Sequence, residues 1–103
     1  MLHTLNRAWI SILANQINDG KINNALFVTS GSDEYIMTKH LLNELCGLKN
    51  CWVIDKNDVE FTVSVVLGGK CFDDVLVSHE ATGSMFHNYL SKHCRRVMTD
   101  HGN

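Results

Sequence analysis

Residues 25–55 read ALFVTSGSDEYIMTKHLLNELCGLKNCWVID, and the order of patterns within this stretch decides the predicted fold. Ala25–Thr29 is short, continuously apolar and followed by a glycine turn, which is typical of a buried strand. A helix is predicted over 33–46, and a second short strand over 51–55. A strand, a helix and a strand in this order indicate a parallel crossover.

The ends of this central helix carry recognisable signals. Ser30 or Ser32 is the predicted N-cap, because a hydroxyl oxygen can accept a hydrogen bond from the first free backbone N–H groups. Gly47 is predicted to end the helix in the left-handed conformation. The predicted buried face is apolar and comprises Met37, Leu41, Leu42 and Leu45.

The chain before this stretch predicts an amphipathic helix over 5–19, with Thr4 as its N-cap. Its apolar side chains recur at helical spacing and form one stripe, which comprises Leu5, Trp9, Ile12, Leu13 and Ile17.

The chain after this stretch predicts two more strands and one more helix. Alternating apolar and polar residues indicate a strand over 59–65, and a hairpin turn over 67–70 leads into a strand over 71–78. The last helix is predicted over 84–98, followed by a frayed tail over 99–103.

These elements predict one α+β domain that occupies residues 1–103, in the order α-β-α-β-β-β-α. The expected architecture is a mixed or mostly antiparallel sheet of about four strands, with three helices packed on it. A chain of 103 residues is too short for two independent cores.

Composition excludes several classes of function. The hydrophobic fraction of 45% is typical of a globular protein, and the net charge of −2 argues against a general nucleic-acid coat. No apolar run is long enough to span a bilayer, and the N-terminus lacks the order of a signal peptide. We therefore expect a cytoplasmic protein with reduced cysteines and no membrane contact.

The turn Ser30-Gly31-Ser32 is a candidate anion-binding site. A glycine turn between a strand and a helix directs backbone N–H groups outward, where they and the helix dipole attract a phosphate or carboxylate. The turn matches neither the dinucleotide nor the P-loop glycine pattern, and Asp33 and Glu34 would repel an anion, so an ordinary capped turn is the favoured explanation.

Three further features are candidates for contact with a partner. Trp52 is a large aromatic anchor, although a core position explains it at least as well. The adjacent Asp73 and Asp74 predict an exposed sheet edge. The basic cluster near the C-terminus is predicted at a helix end, where the dipole favours cations, and it comprises Lys92, Arg95 and Arg96.

The sequence contains no convincing catalytic or metal-binding motif. His40, Cys46 and Cys51 are close along the chain, but no Cys-x-x-Cys pair occurs. A disulfide between Cys46 and Cys51 is compatible with their spacing and disfavoured by a reducing compartment. We therefore expect no metal and no cofactor.

The favoured hypothesis is a small regulatory or inhibitory protein that acts by binding another protein. Its size and lack of motifs match small accessory or anti-defence proteins of phages and mobile elements, an analogy of scale only. The first alternative is a small enzyme or nucleotide- or anion-binding domain that uses Ser30–Ser32. The second is a nucleic-acid-binding module that uses the C-terminal helix. Homodimerisation is compatible with each hypothesis, and a binding role is favoured over catalysis.

Overall fold

The computed structural model describes residues 4–57, 72–78, 90–92 and 94–100. The helices and strands within these residues are α1 (Arg7–Asn18), β1 (Ala25–Thr29), α2 (Ser32–Cys46), β2 (Cys51–Asp55), β3 (Asp74–Ser78) and β4 (Arg96–Asp100). Residues 90–92 are also helical.

The four described strands form one sheet in the order β2-β1-β3-β4, and every neighbouring pair is parallel. β1 leads through α2 to β2 on one side, whereas β3 precedes β4 on the other side. The direction of the connections therefore reverses between β1 and β3. The carboxyl ends of these two central strands, at Thr29 and Ser78, mark this switch point.

Apolar clusters cover both faces of the sheet. Ala25 and Phe27 belong to the cluster beneath α1 and α2, whereas Leu26 and Val28 belong to the cluster on the opposite face. Leu90 packs in the second cluster, so the helical segment that contains it lies opposite α1 and α2. All five residues of β1 are buried, as expected for a strand covered on both faces.

The predicted mixed or mostly antiparallel sheet is wrong, because every strand pair among the described residues is parallel. The strand over 59–65 and the turn over 67–70, on which that prediction depended, lie outside the described residues. Apolar alternation identifies a strand but contains no information about its direction. β3 begins at Asp74, later than the predicted residue 71, and its five buried residues are typical of a central parallel strand.

The predicted C-terminal helix over 84–98 is wrong in its last part. Residues 90–92 are helical, but the chain bends at Cys94 and Arg95 and continues as β4. The predicted frayed tail is also wrong for its first two residues, which lie in β4, whereas 84–89 and 101–103 lie outside the described residues. Backbone pairing with β3 determines that this segment forms a strand, and the pairing begins with Asp74 opposite Arg96.

The central elements confirm most of the local predictions. β1 and β2 have the predicted bounds, and they pair in parallel around α2. Gly47 ends α2 in the left-handed conformation, with φ 64°. The predicted N-caps are wrong: Asn6 caps α1 instead of Thr4, and Gly31 precedes α2 without a side-chain cap.

The buried faces of the helices differ from the predicted apolar stripes. α2 buries Glu34, Thr38, Leu42 and Cys46, and its predicted face residue Leu45 is 38% exposed. Buried Glu34 and Thr38 accept hydrogen bonds from backbone N–H groups, which is why polar residues occupy this face. On α1, Trp9 and Ile12 belong to the predicted stripe but are 38% and 49% exposed.

Candidate functional site

The turn at Ser30–Ser32 lies at the carboxyl end of β1, beside the switch point. In open parallel sheets, ligands commonly bind in the crevice outside the carboxyl ends of the strands, where the connections reverse. Gly31 adopts φ 111° and ψ 154°, a conformation that is essentially restricted to glycine. The chain therefore makes a sharp turn here before α2 begins.

Two carboxylates of the chain already accept hydrogen bonds from two N–H groups of this turn. Ser30 N–H donates to Glu34 Oε1 at 2.9 Å, and Gly31 N–H donates to Asp55 Oδ1 at 3.0 Å. Asp55 lies at the end of β2, and Glu34 lies in the first turn of α2. An incoming anion would have to displace both carboxylates, which also repel it electrostatically.

A buried carboxylate organises the amino-terminal edge of the sheet. The side chain of Asp74 is fully buried, and it accepts hydrogen bonds from Arg95 Nη2 at 3.2 Å and Arg96 Nε at 3.0 Å. The two arginine side chains remain 62% and 52% exposed. Asp74 therefore anchors two guanidinium groups that still face solvent.

These arginines line a cavity of about 440 Å³, here named the basic pocket, together with Gln16, Lys21 and Ile22. The loop that carries Lys21 is held in place, because Lys21 N–H and Ile22 N–H both donate to the carbonyl oxygen of Gln16, at 2.9 and 3.3 Å. Lys21, Arg95, Arg96 and Asp74 have formal charges that sum to +2. The pocket thus concentrates positive charge in a chain whose net charge is −2.

The predicted exposed edge at Asp73 and Asp74 is wrong, because β3 lies between β1 and β4. Asp74 is buried beneath the arginines, and Asp73 Oδ2 accepts a hydrogen bond from Asn23 N–H at 3.3 Å. Lys92 is exposed in the helical segment and does not line the basic pocket. The structure therefore brings Asp74, Arg95 and Arg96 together in one cluster, of which Lys92 is not a part.

Trp52 lies in β2 and is partly buried. Its ring meets Phe72 edge to face, with the ring centroids 5.6 Å apart. The side chain packs against the second apolar cluster, so its contacts are those of a core residue.

A second cavity, here named the α2 groove, lies along the outer surface of α2. Its volume is about 500 Å³, and its lining comprises Tyr35, Ile36, Lys39, His40, Asn43 and Leu48. Ile36 is 58% exposed, the highest value among the large hydrophobic residues that the structure describes as exposed. Apolar side chains alternate here with polar and basic ones.

Cys46 and Cys51 bring two thiols together beneath α2. Their sulfur atoms are 4.0 Å apart and both residues are buried. Burial, followed by the electrostatic effect of Cys46 and a hydrogen bond with it, raises the pKa of Cys51 from 9.0 to about 12. A thiol with this pKa is a poor nucleophile at neutral pH.

Within the described residues, no three histidine, cysteine or acidic side chains are arranged to hold a metal ion. Neither described helix has the length and apolar character needed to cross a bilayer. Comparison with known proteins found no matching family model, no significantly similar curated protein and no significantly similar solved structure.

Several residues of these sites carry no signal in the local sequence. Lys21 and Gln16 line the same cavity as Arg95 only because of the tertiary fold, and no local sequence pattern connects them. The sequence does indicate that Ile36 is exposed, because it is a large aliphatic residue outside the predicted buried face of its helix.

Proposed function

We propose that this chain is a small regulatory or inhibitory protein that acts by docking onto another protein through the α2 groove. The observation that carries the proposal is Ile36, a large aliphatic side chain that stands 58% exposed in the lining of a concave surface. Burial of such a side chain against a partner contributes about 1.5–3 kcal/mol when it is complete.

The composition of the α2 groove supports a protein partner. Tyr35, Ile36 and Leu48 supply aromatic and aliphatic contact area, while Lys39, His40 and Asn43 supply polar groups around it. Protein interfaces commonly combine an apolar centre with a polar rim and are enriched in tyrosine.

The charges in the groove support a partner with an acidic residue. Lys39 Nζ lies 5.6 Å from the centroid of the Tyr35 ring and 3.5 Å from its hydroxyl oxygen, so the cation lies beside the hydroxyl end of the ring. Two basic side chains thus flank Ile36, although His40 also contacts Glu44 at 3.1 Å. We infer a partner segment that presents an apolar anchor next to an acidic residue.

The test compares two substitutions of the same type. Ile36→Glu places a carboxylate in the α2 groove, and Ile12→Glu places one at an exposed position on α1 outside the groove. Both positions are exposed, so each substitution is expected to change the free energy of unfolding by less than about 0.5 kcal/mol.

The proteins are used as bait in a lysate of the cells that encode the chain, and a captured protein is purified for direct titration. We expect the wild type and Ile12→Glu to bind with equal affinity, Ile36→Leu to retain binding, and Ile36→Glu to bind at least about tenfold more weakly. Equal capture by Ile36→Glu and the wild type, or the absence of any stoichiometric protein, would overturn the proposal.

A further inference from the structure

We propose that the basic pocket binds the phosphate group of a small phosphate monoester. The pocket lies between the end of α1 and the start of β4, whereas the α2 groove lies on the outer surface of α2. This inference is therefore independent of the proposed docking function.

Arg95 and Arg96 supply hydrogen-bond donors to the basic pocket. A guanidinium group has three nitrogen atoms, and its planar arrangement matches two oxygens of a phosphate or carboxylate. Arg95 uses Nη2 and Arg96 uses Nε to hold Asp74. Among the hydrogen bonds to residues that the structure describes, the remaining guanidinium nitrogens have no protein acceptor, and both arginines line the cavity.

The arginine side chains and the loop of Lys21 are held in place before any ligand binds. The buried carboxylate of Asp74 restrains both guanidinium groups, and two backbone hydrogen bonds to Gln16 restrain the loop of Lys21. Groups that are already ordered lose less conformational entropy when a ligand binds. An exposed arginine without a carboxylate partner lacks this advantage.

The charge and the volume of the basic pocket also match a phosphate monoester. The formal charge of +2 on the four groups matches a phosphate monoester, which carries a charge close to −2 at neutral pH. A volume of about 440 Å³ exceeds that of the phosphate alone and lies within the usual range for small-molecule pockets. Ile22 and Gln16 provide an apolar contact and an amide for the rest of the ligand.

The contrast with the Ser30–Ser32 turn strengthens the assignment. There the backbone donors are occupied by Glu34 and Asp55, whereas the basic pocket presents cationic donors around an open volume. Two backbone donors at the place in the fold most often used for anions are therefore already paired, whereas the two arginines, each with nitrogens not used on Asp74, lie at the opposite end of the strands.

The proposal is tested by amide-resolved NMR of the full chain, with inorganic phosphate, AMP and adenosine as probes at constant ionic strength. We expect saturable shifts at Gln16, Lys21 and Ile22 with phosphate and AMP, and none with adenosine, which lacks the phosphate. The amides of Ser30 and Gly31 should not shift. Absence of saturation at tens of millimolar phosphate, or equal shifts with adenosine, would overturn the proposal.

Matched variants separate a specific site from general charge attraction. Lys21→Gln is expected to weaken AMP binding about tenfold, Lys21→Arg to preserve it, and Lys39→Gln, in the α2 groove, to leave it unchanged. Lys21 makes no described side-chain ion pair, so its replacement preserves the Asp74 cluster. Equal weakening by Lys21→Gln and Lys39→Gln would indicate nonspecific attraction and contradict the proposal, as would a preference for nucleic-acid polymers over AMP.

Discussion

Arg96 Nε donates a hydrogen bond of 3.0 Å to Asp74 Oδ1, and the two residues are direct partners in the register of β3 and β4. The backbone supports the same junction, because Arg96 N–H donates to the carbonyl oxygen of Asp73 at 3.0 Å. One side-chain contact therefore both fixes where β4 begins and positions a guanidinium group at the basic pocket.

Asp74→Asn tests the structural side of this relationship. The carboxylate is buried and accepts two charge-assisted hydrogen bonds, so its replacement by an amide is expected to lower the free energy of unfolding by about 1.5–3 kcal/mol. Urea denaturation measures this change. Asp19→Asn, at an exposed position, is the matched control and should stay within about 0.5 kcal/mol of the wild type. Unchanged stability in Asp74→Asn would contradict the structural role.

Thr38→Val tests the attachment of the N-terminal segment to α2. The fully buried hydroxyl oxygen of Thr38 accepts a hydrogen bond from Leu5 N–H at 3.1 Å. Valine keeps the shape but leaves this N–H without its acceptor, which is expected to cost about 1–3 kcal/mol. Hydrogen exchange provides the specific readout: the Leu5 amide should lose protection in Thr38→Val and keep it in Thr38→Ser. Loss of protection in both variants would show that packing, not the hydroxyl, holds the segment.

Gly31→Ala tests the conformation of the turn that precedes α2. A Cβ atom at this position would meet no heavy atom within 4 Å, so any cost comes from the backbone conformation at φ 111°. We expect a loss of about 1–3 kcal/mol in the free energy of unfolding, measured by thermal and urea denaturation. Ser32→Ala is the neighbouring control and should be nearly neutral, because no side chain caps α2. A neutral Gly31→Ala would mean that the turn relaxes without cost.

The raised pKa of Cys51 predicts that the folded protein loses stability at alkaline pH. Its pKa is about 12 in the folded protein and near 9.0 when unperturbed, so above pH 9 the unfolded thiol ionises while the folded thiol keeps its proton. The contribution of Cys51 to the free energy of unfolding is complete below about pH 9 and decreases as the pH rises toward 12. The slope is at most about 1.4 kcal/mol per pH unit.

The measurement is the free energy of unfolding across this pH range for the wild type and Cys51→Ala. The difference between the two proteins isolates the contribution of Cys51 from the lysines and tyrosines that titrate in the same range. We expect a shallower decline in Cys51→Ala. Parallel curves for the wild type and Cys51→Ala would show that this thiol does not govern the alkaline loss.

The candidate sites were only partly predictable from local patterns. Arg95 and Arg96 stood out as a basic cluster, but their common acceptor, Asp74, lies more than twenty residues earlier in the chain. Lys21 joins them from the loop after α1. Such contacts depend on strand order, which the periodicity of any single segment does not encode. The carboxylates that occupy the Ser30–Ser32 turn were equally hidden, since Asp55 reaches it only through the pairing of β1 with β2.

Local sequence determined the elements whose signals lie within a few residues. The apolar run of Ala25–Thr29, the helix that ends at Gly47 and the strand Cys51–Asp55 all appear where their patterns indicate. These signals arise from backbone conformation and side-chain alternation, which neighbouring residues control. Tertiary structure alone decided that β3 inserts between β1 and β4 and that Arg96–Asp100 forms a strand. Burial on both faces favours β3 as a central strand, whereas backbone pairing with β3 and the ion pairs on Asp74 outweigh the helical pattern of Arg96–Asp100.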